Sequence, residues 1–283
     1  MTYASTACLG RPELWSALQA FADAGVDSVE LGSCRLEDPS GLAGRLRATG
    51  LLFSVHNYFP PTDDGLVLNL ASPSGETRAA SSRFVRDALE LAGEIGSPFY
   101  SVHAGFATDP VGHEDGHFVF GGRGNLDAAR KRFAESRTDL AGAARALEVE
   151  LLVENNVCIG EHRGHLLLVT DEEITEFLAP LGLRLLLDVG HLNVSARTLA
   201  FDRERFVDAV EDVVGALHLH DNDGVADRHR PLEEDGWIAE VLRRPRLGKV
   251  PRVVESRVAS ASEAREQVEL ADRLAAPHAG ART

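Results

Sequence analysis

The sequence predicts a single-domain α/β protein, a (β/α)8 barrel, and two observations carry that expectation. Short apolar runs end in a His, Asp or Glu again and again, and four successive ones stop at Glu154, Asp188, His218 and Glu255, spaced 34, 30 and 37 residues apart. A strand, a helix and the return to the next parallel strand take about 30 residues or more. Over the whole chain there are eight such runs, nearly all followed by a segment of helical spacing, and eight βα units close a barrel. An open doubly wound sheet is the alternative, but no Gly-rich dinucleotide turn follows the first strand. No linker or shift in composition divides the chain. Residues 1–274 are read as the barrel and 275–283 as a loose tail.

The elements follow in order. Thr2–Leu9 reads as a short strand. Arg11–Ala24 has helical spacing, with Leu14, Trp15, Leu18 and Phe21 apolar and Gly25 as its stop. Asp27–Leu31 is a second strand with Glu30 near its end, and Ser40–Thr49 a helix closed by Gly50. Leu51–His56 is a third strand, and a Pro/Asp/Gly-rich loop over 57–74 leads to a helix over Gly75–Ile95. Phe99–His103 is the fourth strand, followed by a long Gly- and His-rich loop over 104–124 that contains His113 and His117. Loops of that length inside a compact domain are usually functional or mobile. A helix over Asn125–Leu147 and a fifth strand, Glu150–Glu154, come next. A helix near Asp171–Leu178 precedes the sixth strand, Leu183–Asp188. Arg203–Val214 is helical, Gly215–His220 is the seventh strand, Asp235–Arg243 a helix, Val250–Glu255 the eighth strand, and Ser262–Leu274 the last helix.

Composition fits a folded protein: 44% hydrophobic and 26% charged residues. A formal charge of -15 disfavours a partner built of phosphates, so nucleic acid is not expected. Cys8, Cys34 and Cys158 are an odd number at no metal-finger spacing, which points to a reducing compartment. No apolar run approaches the roughly 18 residues of a membrane span. No basic segment followed by an apolar stretch opens the chain, so the cytoplasm is the expected location. Oligomeric state is left open.

The stretch RLLLDVGHLNVSA, Arg184–Ala196, concentrates the chemistry. Leu185, Leu186 and Leu187 form a run buried on both faces, which stops at Asp188; Gly190 is expected to turn the backbone sharply, and His191 follows. A carboxylate at the end of a buried strand is costly unless paired, and a divalent ion is a natural partner. The plainer reading is an Asp that caps the next helix. Strand ends also supply His56, His103, Glu154, His218 and Glu255, and Asp227 and His229 lie in HDNDGVADRHRPL. Each has an ordinary explanation alone. Six strands ending in His, Asp or Glu at one mouth of a barrel are hard to explain without metal, because uncompensated carboxylates there would repel one another.

The strings SVHNYFPP…LNLAS, SVHAG, LLVENN, LLLDVGHLNVSA, HLHDNDGVADRHRPL and VVES resemble the xylose-isomerase-like barrel superfamily, from the third strand to the eighth. That superfamily contains sugar and sugar-phosphate isomerases and epimerases, and the endonuclease IV type of abasic-site nuclease. The resemblance implies a divalent ion held by Glu154, Asp188, His218 and Glu255. His218 and His220 share a strand face; the family pattern, with its His three before an Asp (here Asp221), favours His218 as the ligand. The nuclease branch adds ligands for a three-zinc cluster at positions matching His56, His103, His191, Asp227 and His229, all of the right type here. Three features point to the sugar branch instead. ENNVCIG stands where the nuclease has ENTAGQG, VGHLNVSA where it has CHAF, and the charge is -15. PLEEDG departs from the PLGEG of both branches.

The resemblance further implies the chemistry. The metal chelates a carbonyl and a hydroxyl of a ketose, one of Glu154 and Glu255 removes the carbon-bound proton, and the other returns it after an enediolate. His191 and His220 are read as substrate contacts. Mixed O/N ligation suits Mn, Zn, Mg, Co or Fe. The expected partner is a small carbohydrate, contacted by loops 32–39, 57–74, 104–124 and 156–170. Dehydration of a keto-polyol shares the same enolate chemistry. A scaffold without activity is disfavoured by the complete ligand set.

Overall fold

The computed structural model describes residues 1–61, 65–114 and 117–276. Its barrel strands are β1 (Thr2–Ser5), β2 (Ser28–Leu31), β3 (Leu52–His56), β4 (Phe99–His103), β7 (Glu150–Glu154), β8 (Arg184–Asp188), β9 (Val214–Leu219) and β10 (Arg252–Val254). All run parallel and each pairs with the next barrel strand in chain order, β10 closing on β1. Two further strands, β5 (Gly112–Glu114) and β6 (His117–Val119), form an antiparallel hairpin. The helices are α1 (Leu14–Ala24), α2 (Leu42–Ala48), α3 (Gly75–Glu94), α4 (Leu126–Ala146), α5 (Val189–Leu199), α6 (Arg203–Val210), α7 (Trp237–Arg243) and α8 (Ala261–Ala275). The expected (β/α)8 barrel is the observed fold.

The strands are buried on both faces because each face has its own cover. Alternate residues such as Leu151, Val153, Leu185 and Leu187 face outward into the core shared with the helices. Tyr3, Phe99, Leu152, Leu186, Ala216 and Val253 form a separate apolar cluster that fills the barrel interior. The helices carry the matching stripe. In α1, Leu14, Ala17, Leu18 and Phe21 are buried at i, i+3, i+4 and i+7. Glu13 caps its start by accepting from the Ser16 N–H, and Gly25 ends it at φ +79°. The last helix, α8, packs on α1 and on α7.

Several boundaries differ from expectation. The first strand stops at Ser5, whose hydroxyl accepts from the Ala7 N–H and starts a 3-10 turn over Thr6–Leu9. The helix begun at Arg203 ends at Val210 and passes through a 3-10 turn, so β9 already begins at Val214. Pairing of β8 with β9 skips Gly215, a bulge. A Cβ there would lie 2.5 Å from Leu152 Cδ2, which is why glycine occupies it. The segment 104–124 contains the β5–β6 hairpin rather than loop alone. Ala275 still belongs to α8, and 277–283 of the expected tail lie outside the described residues. Among the described residues no helix is long and apolar enough to cross a membrane.

Candidate metal centre

Two residues beyond each apolar interior position, the same strand face turns polar. Glu154 follows Leu152, Asp188 follows Leu186, His218 follows Ala216 and Glu255 follows Val253. These four meet. His218 Nδ1 lies 3.4 Å from Glu154 Oε1, 3.8 Å from Asp188 Oδ2 and 3.5 Å from Glu255 Oε2. Glu154 turns its other oxygen, Oε2, to His56 Nε2 at 3.5 Å and His103 Nε2 at 3.4 Å. A third group centres on Asp227 Oδ2, which lies 3.5 Å from His191 Nε2 and 3.2 Å from His229 Nε2. All nine residues expected as ligands therefore sit in one connected cluster. His220, the tenth site residue, is fully buried with Nε2 3.1 Å from Asp188 Oδ2 and Nδ1 3.6 Å from Asp227 Oδ1.

In four of the histidines the inward nitrogen is selected by what the opposite nitrogen touches. His191 Nδ1 donates to the Asn155 carbonyl at 2.9 Å and His229 Nδ1 to the Glu255 carbonyl at 3.1 Å, so it is their Nε2 atoms that face Asp227. His56 Nδ1 pairs with the Ser101 hydroxyl at 2.9 Å. His218 Nε2 donates to Glu30 Oε2 at 3.0 Å, which leaves Nδ1 for the four-residue group. Partners of this kind fix the tautomer and ring orientation of a metal-binding histidine. Glu30, fully buried, was not expected in the site. Its signal in the sequence was a carboxylate near the end of DSVEL, the pattern that marked the other strand ends.

Local sequence sets these positions. Asp188 does both jobs weighed for it: Oδ1 caps α5 by accepting from the His191 N–H at 2.7 Å, while Oδ2 faces the cluster. Asn155 clamps the end of β8, accepting from the Asp188 N–H at 2.8 Å and donating to its carbonyl at 3.0 Å. Gly190 makes no sharp turn, since it lies inside α5. It is needed for closeness, because a Cβ there would fall 2.0 Å from His220 Cε1. Reciprocal backbone hydrogen bonds between Asp221 and Arg230 fold the connecting loop back, bringing Asp227 and His229 over the cluster.

The residues fit a divalent cation. Glu154 Oε2, His218 Nδ1, His220 Nδ1 and Asp227 Oδ1 are buried and lack any hydrogen-bond partner among the described residues. Buried unpaired polar atoms are expensive, and these belong to groups aimed at one another. Mixed carboxylate and imidazole donors without thiolate match Mn, Zn, Mg, Co or Fe. Electrostatics point the same way. Burial disfavours charge on Glu154, but His103, His218 and His56 hold its carboxyl well below the usual range. Burial also opposes protonation of His218, yet Glu255, Glu30 and Glu154 push it well above the usual imidazole value. Against the same burial, Asp227 raises His229 to about 9. Burial lowers His103 to about 4, despite Glu154. The carboxylates that draw protons onto His218 and His229 would equally attract a cation, whereas at His103 burial prevails.

The cluster floors a cavity of about 850 Å³. His56, His103, Glu154, His191, His229 and Glu255 line it from below, and loop residues 32–34, 57–58, 61 and 65–67 form its wall. His113 and Phe118 of the β5–β6 hairpin reach it from above. The expected loop 156–170 lines none of it. The loop after β1 does so instead, with Ala7, Gly10 and Arg11, as does Arg257 after β10.

Residues 18–274 match the family described as xylose isomerase-like TIM barrel. An uncharacterized protein of Methanocaldococcus jannaschii is 27% identical over 179 residues, 63% of this chain and 59% of that protein's length. Among solved structures, a D-tagatose 3-epimerase-like protein superposes with a TM-score of 0.71 over 97% of both chains at 20% identity. Endonuclease IV from Thermus thermophilus does so at 0.58, covering 95% of this chain and 98% of its own, also at 20% identity. At such identities the likeness speaks for the fold.

Proposed function

The chain belongs to the xylose isomerase-like TIM barrel family, and from that premise we propose that it is a divalent-metal-dependent isomerase or epimerase acting on a small carbohydrate. The observation that carries the reading is the convergence of Glu154, Asp188, His218 and Glu255, of which Glu154 and Glu255 line the floor of a cavity of about 850 Å³. That volume suits a single small ligand. A divalent ion held by these four would draw electrons from a chelated carbonyl and hydroxyl and so acidify the carbon-bound proton beside them.

The remaining work falls to side chains of the chain itself. Glu255 is the proton acceptor: Oε1 takes a hydrogen bond from the Ser5 hydroxyl at 3.3 Å, and the residue borders the cavity. Glu154 is the returning acid on the other side of the substrate. Its Oε2 faces His56 and His103, which can take up or resupply the proton it handles. In this reading His191, at the cavity floor, contacts the substrate, and buried His220 orients Asp188.

A second reading is favoured by one specific observation. Both oxygens of Glu154 face imidazoles, and His191, Asp227 and His229 form a group of their own. Three linked donor groups suit three ions, the arrangement that cleaves a phosphodiester in the nuclease branch. Two measurements separate the readings. Metal analysis of the purified protein should return one tightly held ion per chain, and a panel of ketoses and their phosphates in deuterated water should show exchange at the carbon next to the carbonyl. Three ions per chain, incision of a duplex at an abasic site and no exchange on any sugar would replace the first reading by the second.

A further inference from the structure

Among the described residues five asparagines are buried, and four of them use their side-chain amides. Asn69 Oδ1 accepts from the Ala71 and Phe106 N–H groups at 3.1 and 2.9 Å, and its Nδ2 donates to Asp109 at 2.8 Å. Asn155 clamps Asp188, Asn156 Nδ2 donates to the Leu167 carbonyl at 2.7 Å, and Asn222 Nδ2 donates to the Gly190 carbonyl at 2.9 Å. Asn57 is the exception. It is 7% exposed, its Oδ1 is buried without a partner, and its amide makes no hydrogen bond among the described residues. The backbone around it is fixed. Asn57 N–H donates to the Ser101 carbonyl at 2.7 Å, and the Asn57 carbonyl accepts from the Tyr100 hydroxyl at 2.9 Å. The next residue, Tyr58, packs its ring against Phe84 with centres 6.4 Å apart, and its hydroxyl accepts from the Leu68 N–H at 2.9 Å. Asn57 has φ +41°, in the left-handed region. Asn enters that region more readily than most residues, but this chain also places Glu148, Leu168, Ala200 and His229 there. Backbone conformation alone therefore does not call for the amide. The residue lines the cavity next to His56. A confined, unpaired amide at that place is a preorganised donor and acceptor for a ligand.

We propose that the Asn57 amide binds a hydroxyl of the substrate and so selects which carbohydrates the cavity accepts. The inference rests on the proposed function in taking the ligand to be a carbohydrate that undergoes proton exchange. A hydroxyl both donates and accepts, as the amide does, and a half-turn of the amide brings either polar end to the same side. A carboxylate offers acceptors only and would leave Oδ1 unpaired. An analogue that lacks the hydroxyl also leaves the amide unpaired, so the site discriminates against it.

Asn57→Gly tests this, because glycine accepts the left-handed backbone without strain and removes only the amide. Metal content and melting temperature should stay close to wild type. The probes are the ketose that wild type exchanges fastest in deuterated water and its monodeoxy derivatives that keep the carbonyl and the hydroxyls beside it. KM for exchange on the parent ketose should rise about tenfold in Asn57→Gly, the scale of a lost hydrogen bond, with kcat changed much less. Wild type should disfavour one deoxy derivative by about tenfold or more in kcat/KM, and Asn57→Gly should treat that derivative and the parent alike. Asn57→Asp, of the same size and also tolerant of the left-handed region, guards against a folding defect: it loses the donor and should likewise raise KM. The proposal is overturned if folded, metal-loaded Asn57→Gly keeps the wild-type KM, since the residue then serves the backbone alone. It is also overturned if the ranking of the deoxy derivatives is the same in both proteins. Either result, with wild-type exchange intact, leaves the isomerase reading standing. No exchange by wild type on any ketose removes that reading, and this inference falls with it.

Discussion

The barrel interior has two layers that differ by two residues along each strand. In the lower layer Tyr3, Phe99, Leu152, Leu186, Ala216 and Val253 pack against one another, Tyr3 and Phe99 edge to face with ring centres 6.1 Å apart. In the upper layer Glu154, Asp188, His218 and Glu255 stand on the same inward faces. The lower layer needs no ligand, since its contacts are apolar and burying each large apolar side chain contributes about 1.5–3 kcal/mol. The upper layer is not complete, because orphaned oxygens and nitrogens remain among the imidazoles. One surface of one sheet thus serves stability below and ligand binding above, and substitutions in the two layers should respond differently to metal.

The largest effect expected is on turnover. Glu255→Gln keeps a ligating oxygen and the side-chain volume but cannot accept a proton. It should slow substrate proton exchange by about a hundred- to ten-thousandfold, with metal content unchanged. Wild-type exchange in the metal-loaded variant would remove Glu255 from the proton-transfer role.

Stability separates the layers next. Leu186→Ala should cost about 2–5 kcal/mol whether or not metal is present, because it opens a cavity in a packed layer. Asp188→Ala should lose the increment that metal adds to wild type, about 2.7 kcal/mol at a hundredfold excess over Kd, on top of a metal-independent loss of about 0.5–2 kcal/mol from the α5 cap. Denaturant melts with and without chelator read both. The contrast between the layers breaks down if Asp188→Ala retains wild-type metal content and the wild-type response to chelator.

A smaller effect is expected at Glu30, which reaches the site through its hydrogen bond with His218 Nε2. Glu30→Gln presents either its carbonyl or its amide to that nitrogen and loosens the choice of tautomer. Metal affinity should fall by about 10- to 100-fold, measured by competition with a chromophoric chelator, while the melting temperature of the metal-free protein changes little. Unchanged affinity would reduce Glu30 to a packing role.

The smallest effect concerns pH in the metal-free protein. The folded chain holds His229 at about 9, against 6.5 for an unperturbed imidazole, because Asp227 outweighs the burial that opposes its charge. Below pH 6.5 both folded and unfolded chains carry the proton and the contribution is fully present. It declines as pH rises through about 9, where the folded chain also gives the proton up. The melting temperature of chelator-treated protein should therefore fall by a few degrees between pH 6.5 and 9. A rise over that window would contradict the placement of His229 against Asp227.

The features legible in the sequence were those with a short-range cause. Repeated spacing gave the eight strands, polar residues at their ends gave six members of the cluster, and the resemblance added His191, Asp227 and His229. Gly190 was noticed, but its reason was hidden: the neighbour that excludes a side chain there is His220, thirty residues further along the chain. Arg11 and Arg257 gave no signal, since an arginine in a loop looks the same whether it faces a cavity or open water. The 156–170 loop was expected at the substrate because it follows a strand end, yet none of its residues lines the cavity.

By itself, then, the sequence determined which residues stand at the mouth of the barrel, because a period of two along each strand and a period of about 30 between strands are local properties. Only the tertiary structure decided which atom of each residue faces inward. That choice depends on partners brought together by closure, and Glu30 meets His218 across 188 residues of chain. Rotating a ring or carboxylate is nearly free in solution. Inside the barrel it is fixed by a single buried hydrogen bond whose loss leaves a polar atom stranded.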